Sequence, residues 1–484
     1  MAAHDVSPAT PCSIVIFGAT GDLAARKLVP ALHALRRNGW LHPDTAVIGF
    51  GRSDLDDEAF RERLAEALAE HLPDGPDDAW RALRPRVRYV RGGYDEAAAY
   101  ERLAEALREA GHGDHVYYTA TPPQAYAPIV RGLADTGLGD EHQGFRRLVI
   151  EKPFGEDLES ARALNAFVLE RFRETQVYRI DHYLAKETAQ NLAVLRFANT
   201  IFEPIWSNRA IDHVQITMAE PLGMEGRGSF YDDAGVLRDV FQNHMLQLLA
   251  LVAMEPPARY DADAVRDEKV KLLRALRCAE AGHAVLGQYT AGRGQPGYLD
   301  EPGVAPDSRT PTYAAARFAI DNWRWAGVPF YVRAGKRLEE KASEIVLTFR
   351  HPPHVPFDLP AAPRPDRLVL RLVPDEGISL RFNAKHPGQG IELDRVGLDF
   401  AYQGRYRRPN PDAYETLIQD VVEGDATLFM RADEVEMQWR VVAPLLRAAA
   451  SRRPVPYAAG SMGPVDAAEL LARDGRTWYR PGWS

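Results

Sequence analysis

At 484 residues, with 45% hydrophobic and 26% charged positions, the chain has a globular composition and is too long for one compact core. A net charge of −9 argues against nucleic acid as the main partner, since phosphate-backbone binding needs a basic face, but an anionic small molecule still fits a cleft where a few cations converge. Cys12 and Cys278 are the two cysteines, which excludes a disulfide framework and a cysteine zinc site.

The opening "MAAHDVSPATPC" has neither a basic start nor an apolar run, so a reducing cytosol is expected and a secretion signal is not. No apolar segment approaches bilayer-spanning length, so no membrane role is expected. Ser13–Phe17 (SIVIF) predicts a buried strand that meets Gly18 abruptly. From Asp22 the pattern turns helical, with Leu23, Leu28, Leu32 and Leu35 on a period near 3.6. A second strand is predicted at Ala46–Phe50, helices at Glu58–His71 and Glu96–Glu109, and further strands at Val116–Thr119 and Arg147–Ile150. This alternation implies βαβ units and an α/β fold: a Rossmann-type parallel-sheet domain over residues 1–182. Helices at Lys186–Phe197 and Val236–Met254 then precede the strand-like runs HVQITMAE, EIVLTF, RLVLRLV and GISLRFNA. Residues 183–484 therefore read as an α+β domain with a large, mostly antiparallel sheet. The Pro-rich stretch from Arg350 to Arg367 is expected as a loop, and the Pro- and Gly-rich tail beyond Arg453 as irregular chain.

Gly18-x-x-Gly21-x-x-Ala24 lies between the first strand and the first helix. Glycine at 18 permits a tight turn, glycine at 21 lets backbone N–H groups approach a pyrophosphate, and Ala24 lets the helix pack closely. An ordinary strand-to-helix turn is the alternative reading. A 2′-hydroxyl-binding acid is usual at the end of the second strand in NAD sites; here Arg52 and Ser53 follow that strand. Arginine pairs with a 2′-phosphate, which favours NADP, while Asp54 leaves some tolerance for NAD. Ser53 or Asp54 could equally cap the following helix.

Eight lysines stand against fifty-one arginines, and residues 54–111 hold none. Lysine is a compact point cation where arginine is a wide fork, so the few lysines mark places to look. Lys152 directly follows a strand, at the carboxyl end where open α/β sheets bind ligands, although a solvated turn fits too. In RIDHYLAKE, Asp181 is placed to cap a helix starting near Tyr183, which would set His182 and Lys186 on one face near its N-terminus. Such a terminus favours a phosphate; a plain cap with surface side chains is the alternative. His244 interrupts an apolar helix, and spacing alone reads it as a core histidine satisfied by Asn243 or Gln247, or as a catalyst.

Taken together, FGATGDLAARKL, EKPFG, RIDHYLAKE, EGRGSFYDDAGVLRDVFQNHMLQ, DEKVKLLRAL, GVPFYVRAGK and GDATLFMRADEVE resemble the glucose-6-phosphate dehydrogenases, in family order from about residue 14 to residue 436. The resemblance implies oxidation of glucose 6-phosphate at C1 with hydride passing to NADP, and no metal. It implies His244 as general base assisted by Asp181, a phosphate site at His182, Tyr183 and Lys186, and sugar-hydroxyl contacts at Glu220, Asp239 and Lys336. Lys341 is implied beside the substrate and Lys152 beside both substrate and cofactor. Gly18, Ala19, Thr20, Gly21, Asp22, Leu23, Lys27, Arg52 and Ser53 match cofactor positions. A homodimer or homotetramer is implied as well. Two departures stand out: Ala185 replaces the usual glycine before the motif lysine, and Ala25 and Arg26 replace basic positions in the cofactor loop. The GKRLEEKASE segment lacks the basic run of the second, structural NADP site of some members, so that site is not expected. Two other readings are a shorter-type Rossmann sugar oxidoreductase with an EKP lysine and a non-catalytic paralogue; intact His244, Asp181 and Lys186 argue against the latter.

Overall fold

The computed structural model describes residues 10–278, 283–359, 361–402, 405 and 411–480. The first nine residues, Pro360 of the Pro-rich stretch and the last four residues lie outside these. The chain divides into two compact units: Met1–Ala185, Arg259–Arg266 and Pro411–Glu436 form the first, and Lys186–Ala258, Asp267–Asn410 and Met437–Ser484 the second. Among the described residues, no helix is long and apolar enough to cross a membrane.

The first unit holds β1 (Ser13–Phe17), β2 (Ala46–Gly51), β3 (Val87–Arg91), β4 (His115–Thr119), β5 (Arg146–Ile150) and β6 (Val177–Ile180). Their order is β6-β5-β4-β1-β2-β3, all parallel, with Phe429–Met430 added antiparallel beside β6. A strand covered on both faces is a near-continuous apolar run, and every residue of SIVIF is buried, with Ser13 its one polar member. The helix at Val29–Arg37 contributes Val29, Leu32 and Leu35 to the same core as Ile14 and Ile16. Because the chain moves from β1 outward to β3 and then returns to the other side for β4, the strand order reverses between β1 and β4. In open α/β sheets that reversal opens a crevice at the carboxyl ends.

The second unit holds β7 (Ile211–Ala219), β8 (Leu276–Cys278), β9 (Ala284–Thr290), β10 (Tyr313–Ile320), β11 (Phe330–Gly335), β12 (Ala342–Phe349), β13 (Arg367–Val373), β14 (Gly377–Lys385) and β15 (Leu393–Ala401). The sheet runs β15-β14-β13-β12-β7-β11-β10-β9 and ends on Val455–Ala458, with β8 also paired to β10. It is mostly antiparallel, as expected; β7 with β11 and β9 with Val455–Ala458 are parallel. In the β7–β11 register Gly335 faces Ala219, so the next residues, Lys336 and Glu220, leave the sheet side by side.

Four local expectations need correction. No helix begins at Tyr183: residues 182–185 form a turn in which the Asp181 carboxylate accepts the Tyr183 N–H at 3.0 Å, and the helix runs Glu187–Phe197. His182 and Lys186 both precede it and share no helical face. The helix after Arg52 is capped by Asp56, whose side chain accepts from Ala59 at 2.8 Å, rather than by Ser53 or Asp54. The stretch read as one regular helix from Val236 is π-helical over Leu237–Met245 and α-helical over Leu246–Ala253. The tail is not wholly irregular, since Val455–Ala458 finds a sheet edge at β9 and Val465–Ala472 buries Ala467, Leu470 and Leu471 as a helix.

Candidate active site

In the first unit the crevice predicted by strand order is present. Gly18, Thr20, Gly21, Gly51, Arg52, Ser53, Tyr94, Ala120, Thr121 and Pro122 line a cavity of about 530 Å³. Gly18 has φ +78°, and a Cβ there would sit 2.4 Å from the Ala120 carbonyl oxygen. The turn is held by Gly18 N–H donating to Phe50 O and Gly21 N–H donating to Gly18 O, both at 2.9 Å. Thr20 and Ser53 hydroxyls meet at 3.1 Å across the crevice. Arg52 is exposed at the cavity edge, whereas Asp54 forms an ion pair with Arg91. A wall of backbone and small side chains with a cation at its rim fits a dinucleotide phosphate.

Of the cofactor positions drawn from the resemblance, Gly18, Thr20, Gly21, Arg52 and Ser53 line this cavity, while Ala19, Asp22, Leu23 and Lys152 do not. Lys27 is directed to Asp412 at 3.0 Å, with its ammonium 6.0 Å from the Tyr414 ring. Sequence reasoning missed Gly51, Tyr94 and Ala120–Pro122. The last three follow β4, the neighbour of β1, and the TATPP text after a predicted strand was their available signal.

At the end of β5 the Glu151 carboxylate is buried and accepts the Tyr118 hydroxyl at 2.6 Å, while Tyr126 donates to Glu151 O at 2.7 Å. Burial pushes the Glu151 pKa up, opposed by the hydrogen bonds from Tyr118 and Tyr414 and by the Lys152 charge. Lys152 is half-buried and precedes Pro153 through a cis peptide bond. This scaffold holds the backbone from which Lys152 projects. Asp181 and Tyr183 are buried and His182 is half-buried, with the His182 and Tyr183 rings 5.1 Å apart.

In the second unit Lys336 forms an ion pair with Glu220, its neighbour by strand register. The Lys336 ammonium lies 5.8 Å from the centre of the Tyr231 ring. The Lys336 backbone is fixed on both sides: its N–H donates to Thr312 O at 3.0 Å and its carbonyl accepts the Tyr457 hydroxyl at 2.8 Å. His244 lies in the π-helical stretch, 3% exposed, and its backbone N–H donates to the Asn243 side-chain oxygen at 2.7 Å. Asp239 is half-buried on the same stretch. Such wide turns recur at functional sites because they re-aim side chains that a regular helix would turn elsewhere. Lys186 is half-buried at the start of its helix and its carbonyl accepts from Ala189 and Gln190. Lys341 is exposed immediately before β12 and stands outside the small cavity lined by Glu220 and Lys336.

A switch-point crevice opened by a glycine turn, in a chain that also carries a buried histidine and a lysine–glutamate pair on a second sheet unit, defines a two-domain dehydrogenase of the dinucleotide-binding class. Residues 15–191 match the family model described as glucose-6-phosphate dehydrogenase, NAD binding domain, and residues 193–479 match that of its C-terminal domain. The chain belongs to the glucose-6-phosphate dehydrogenase family. It is 46% identical over 484 residues to glucose-6-phosphate 1-dehydrogenase of Aggregatibacter actinomycetemcomitans, covering 97% of each chain. It is 45% identical to glucose-6-phosphate 1-dehydrogenase 2 of Mycobacterium bovis, covering 98% of this chain and 95% of that one. A solved structure of a glucose-6-phosphate dehydrogenase in complex with glucose 6-phosphate superposes with a TM-score of 0.91 at 37% identity, covering 99% of this chain and 100% of the other. The enzyme from Mycobacterium avium gives 0.86 at 38% identity, covering 98% and 100%.

Proposed function

We propose that this chain oxidises β-D-glucose 6-phosphate at C1 to 6-phospho-D-glucono-1,5-lactone with NADP⁺ as hydride acceptor, the reaction at the head of the oxidative pentose phosphate pathway. The observation that carries this reading is family membership across both units, at 46% identity over nearly the whole chain. In the reaction the C1–O–H bond gives up its proton, C1 gains a carbonyl bond, and the C1 hydrogen leaves with its electron pair. When bound in the crevice, a nicotinamide dinucleotide supplies the acceptor for that hydride.

His244 takes the hydroxyl proton; a buried imidazole suits this, since its ordinary pKa lies near working pH. Asp181 orients it and stabilises its protonated form. His182, Tyr183 and Lys186 hold the substrate phosphate, and Glu220, Asp239 and Lys336 the ring hydroxyls. Lys152 serves substrate and cofactor, and Lys341 touches the substrate. Gly18, Thr20 and Gly21 seat the pyrophosphate, while Ala19, Asp22, Leu23 and Lys27 complete the cofactor loop. Preference for NADP is supported by exposed Arg52 at the cavity rim beside Ser53, with Asp54 engaged by Arg91. The domains act as 1–182 for the cofactor and 183–484 for substrate and self-association, in a cytosolic homodimer or homotetramer.

The test is the near-ultraviolet absorbance of reduced nicotinamide, followed with glucose 6-phosphate and each dinucleotide in turn. Faster reduction of NADP⁺ than NAD⁺ is expected. Reduction with free sugars or polyols but none with glucose 6-phosphate would move the assignment to the broader Rossmann sugar oxidoreductases.

A further inference from the structure

Tyr231 is built into the second unit in a way its bulk alone does not explain. The side chain is 4% exposed, and its hydroxyl is fully buried without a hydrogen-bond partner. Phenylalanine would fill the same volume and leave no buried donor unsatisfied, and such a donor opposes folding. The ring packs edge-on to Tyr298 at 6.3 Å. Tyr231 lines a cavity of about 10 Å³ together with Glu220, Lys336, Met218, Val240 and Gly335. Burial, with lesser help from the negative charge of Asp239 and Glu220, raises the phenol pKa well above its ordinary value, so the group stays an O–H donor throughout the working range.

Glu220 lines the same small cavity as this donor, and its carboxylate is ion-paired with Lys336. A sugar hydroxyl that engages Lys336 as acceptor and Glu220 as donor must loosen that ion pair. Resting on the functional reading above, we infer that Tyr231 is a positioning residue for sugar binding. Its O–H takes over part of the Glu220 carboxylate when the substrate draws Lys336 away, which keeps Glu220 aimed at the ring hydroxyl. The group recognised through it is the polyol end of the substrate, and the phosphate end is indifferent to it.

The experiment is Tyr231→Phe, a change that removes one oxygen and keeps the packing. The KM for glucose 6-phosphate is expected to rise about 5- to 30-fold with kcat within about threefold of wild type, the scale of one hydrogen bond to a charged group. The inhibition constant of inorganic phosphate, which probes the phosphate end alone, is expected to stay within about twofold, with Tm unchanged or higher. Combined with Glu220→Gln, the substitution is expected to add less than about twofold to the loss of binding measured by calorimetry, because the two residues act as one. An unchanged KM, a parallel rise in the phosphate constant, a loss confined to kcat, or losses that multiply in the double variant each overturn the inference. A wild-type protein that does not turn over glucose 6-phosphate overturns the functional reading instead, so the two failures are distinct.

Discussion

The two units build the surfaces proposed to meet ligand by opposite means. In the first, the crevice is made of backbone: Gly18 at positive φ, a carbonyl of Ala120 pressed against it, and strand order that leaves the space open. In the second, the proposed surface rests on side chains set by register and by a wide helical turn: Lys336 paired with Glu220 and 5.8 Å from the Tyr231 ring, and His244 on the π-helical stretch Leu237–Met245. A surface of backbone is damaged by adding atoms, and a surface of side chains by removing them. Each type of damage has its own signature, which makes the contrast testable.

Removal in the second unit should have the largest effect. His244→Ala takes away the proposed base and leaves a space the size of an imidazole, so turnover should fall by about 10³- to 10⁴-fold, near the upper limit of general base catalysis. Substrate binding measured by calorimetry should change by less than about threefold, because the lost interaction is made chiefly in the transition state. Near-normal turnover in steady-state kinetics would mean that the proton is taken by another group.

Addition in the first unit comes next. Gly18→Ala places a methyl 2.4 Å from the Ala120 carbonyl oxygen and 3.0 Å from Thr121 Cγ2, at a φ of +78° that L residues rarely adopt. Backbone must move on one side of the crevice, at a cost of about 2 kcal/mol. Affinity for the reduced dinucleotide, read from its fluorescence on titration, should drop by about 30- to 100-fold, which that cost and the displaced turn together account for. Glucose 6-phosphate affinity should be nearly untouched. Equal losses for both ligands would show that the two surfaces are not built independently.

The same contrast explains what could be read from the amino-acid order. The glycine turn was legible because its requirement is local: Gly18 and Gly21 lie three residues apart between a strand and a helix, and SIVIF is apolar from Ile14 to Phe17, as suits a doubly covered strand. Tyr94 and Thr121 share its cavity from 76 and 103 residues further on, and only the β4-β1-β2-β3 order brings them there. The Lys336–Glu220 pair has the same character, since a parallel register across 116 residues leaves no periodic trace. The turn at residues 182–185 reads as a helix start in the amino-acid order because an aspartate two residues ahead of an N–H that donates to it serves both structures. At His244 the apolar spacing was sound, but a π-helical turn differs from an α-helical one by a single residue in its hydrogen-bond spacing. Motif resemblance supplied the chemistry there, and the histidine's setting came only with the structure.

Acid provides the gentlest way to separate the units. His115, at the start of β4, is buried next to Arg146, its register partner on β5, and its Nδ1 has no hydrogen-bond partner. Burial, helped by the Arg146 charge, pushes its pKa down to about 4 from an ordinary 6.5. His213 of the second unit is also held down by burial, but its Nδ1 sits 2.7 Å from the Asp212 carboxylate, which opposes the shift. A histidine kept neutral by folding leaves stability intact above pH 6.5, where folded and unfolded forms are both uncharged. As pH falls below 6.5 the unfolded chain binds the proton first, so stability declines until the folded pKa near 4 and then levels off. At about pH 5.5 the loss through His115 should be about 1.4 kcal/mol, one pH unit of single-proton linkage. Wild type and His115→Phe, compared by urea unfolding between about pH 7.5 and 4.5, should run parallel above 6.5 and converge or cross below it. Hydrogen exchange along the same acid series should show strands β4 and β5 losing protection before β7 and β12. A difference curve that stays flat to pH 4.5, or strands β7 and β12 opening first, would place the acid-sensitive group in the side-chain-built unit instead.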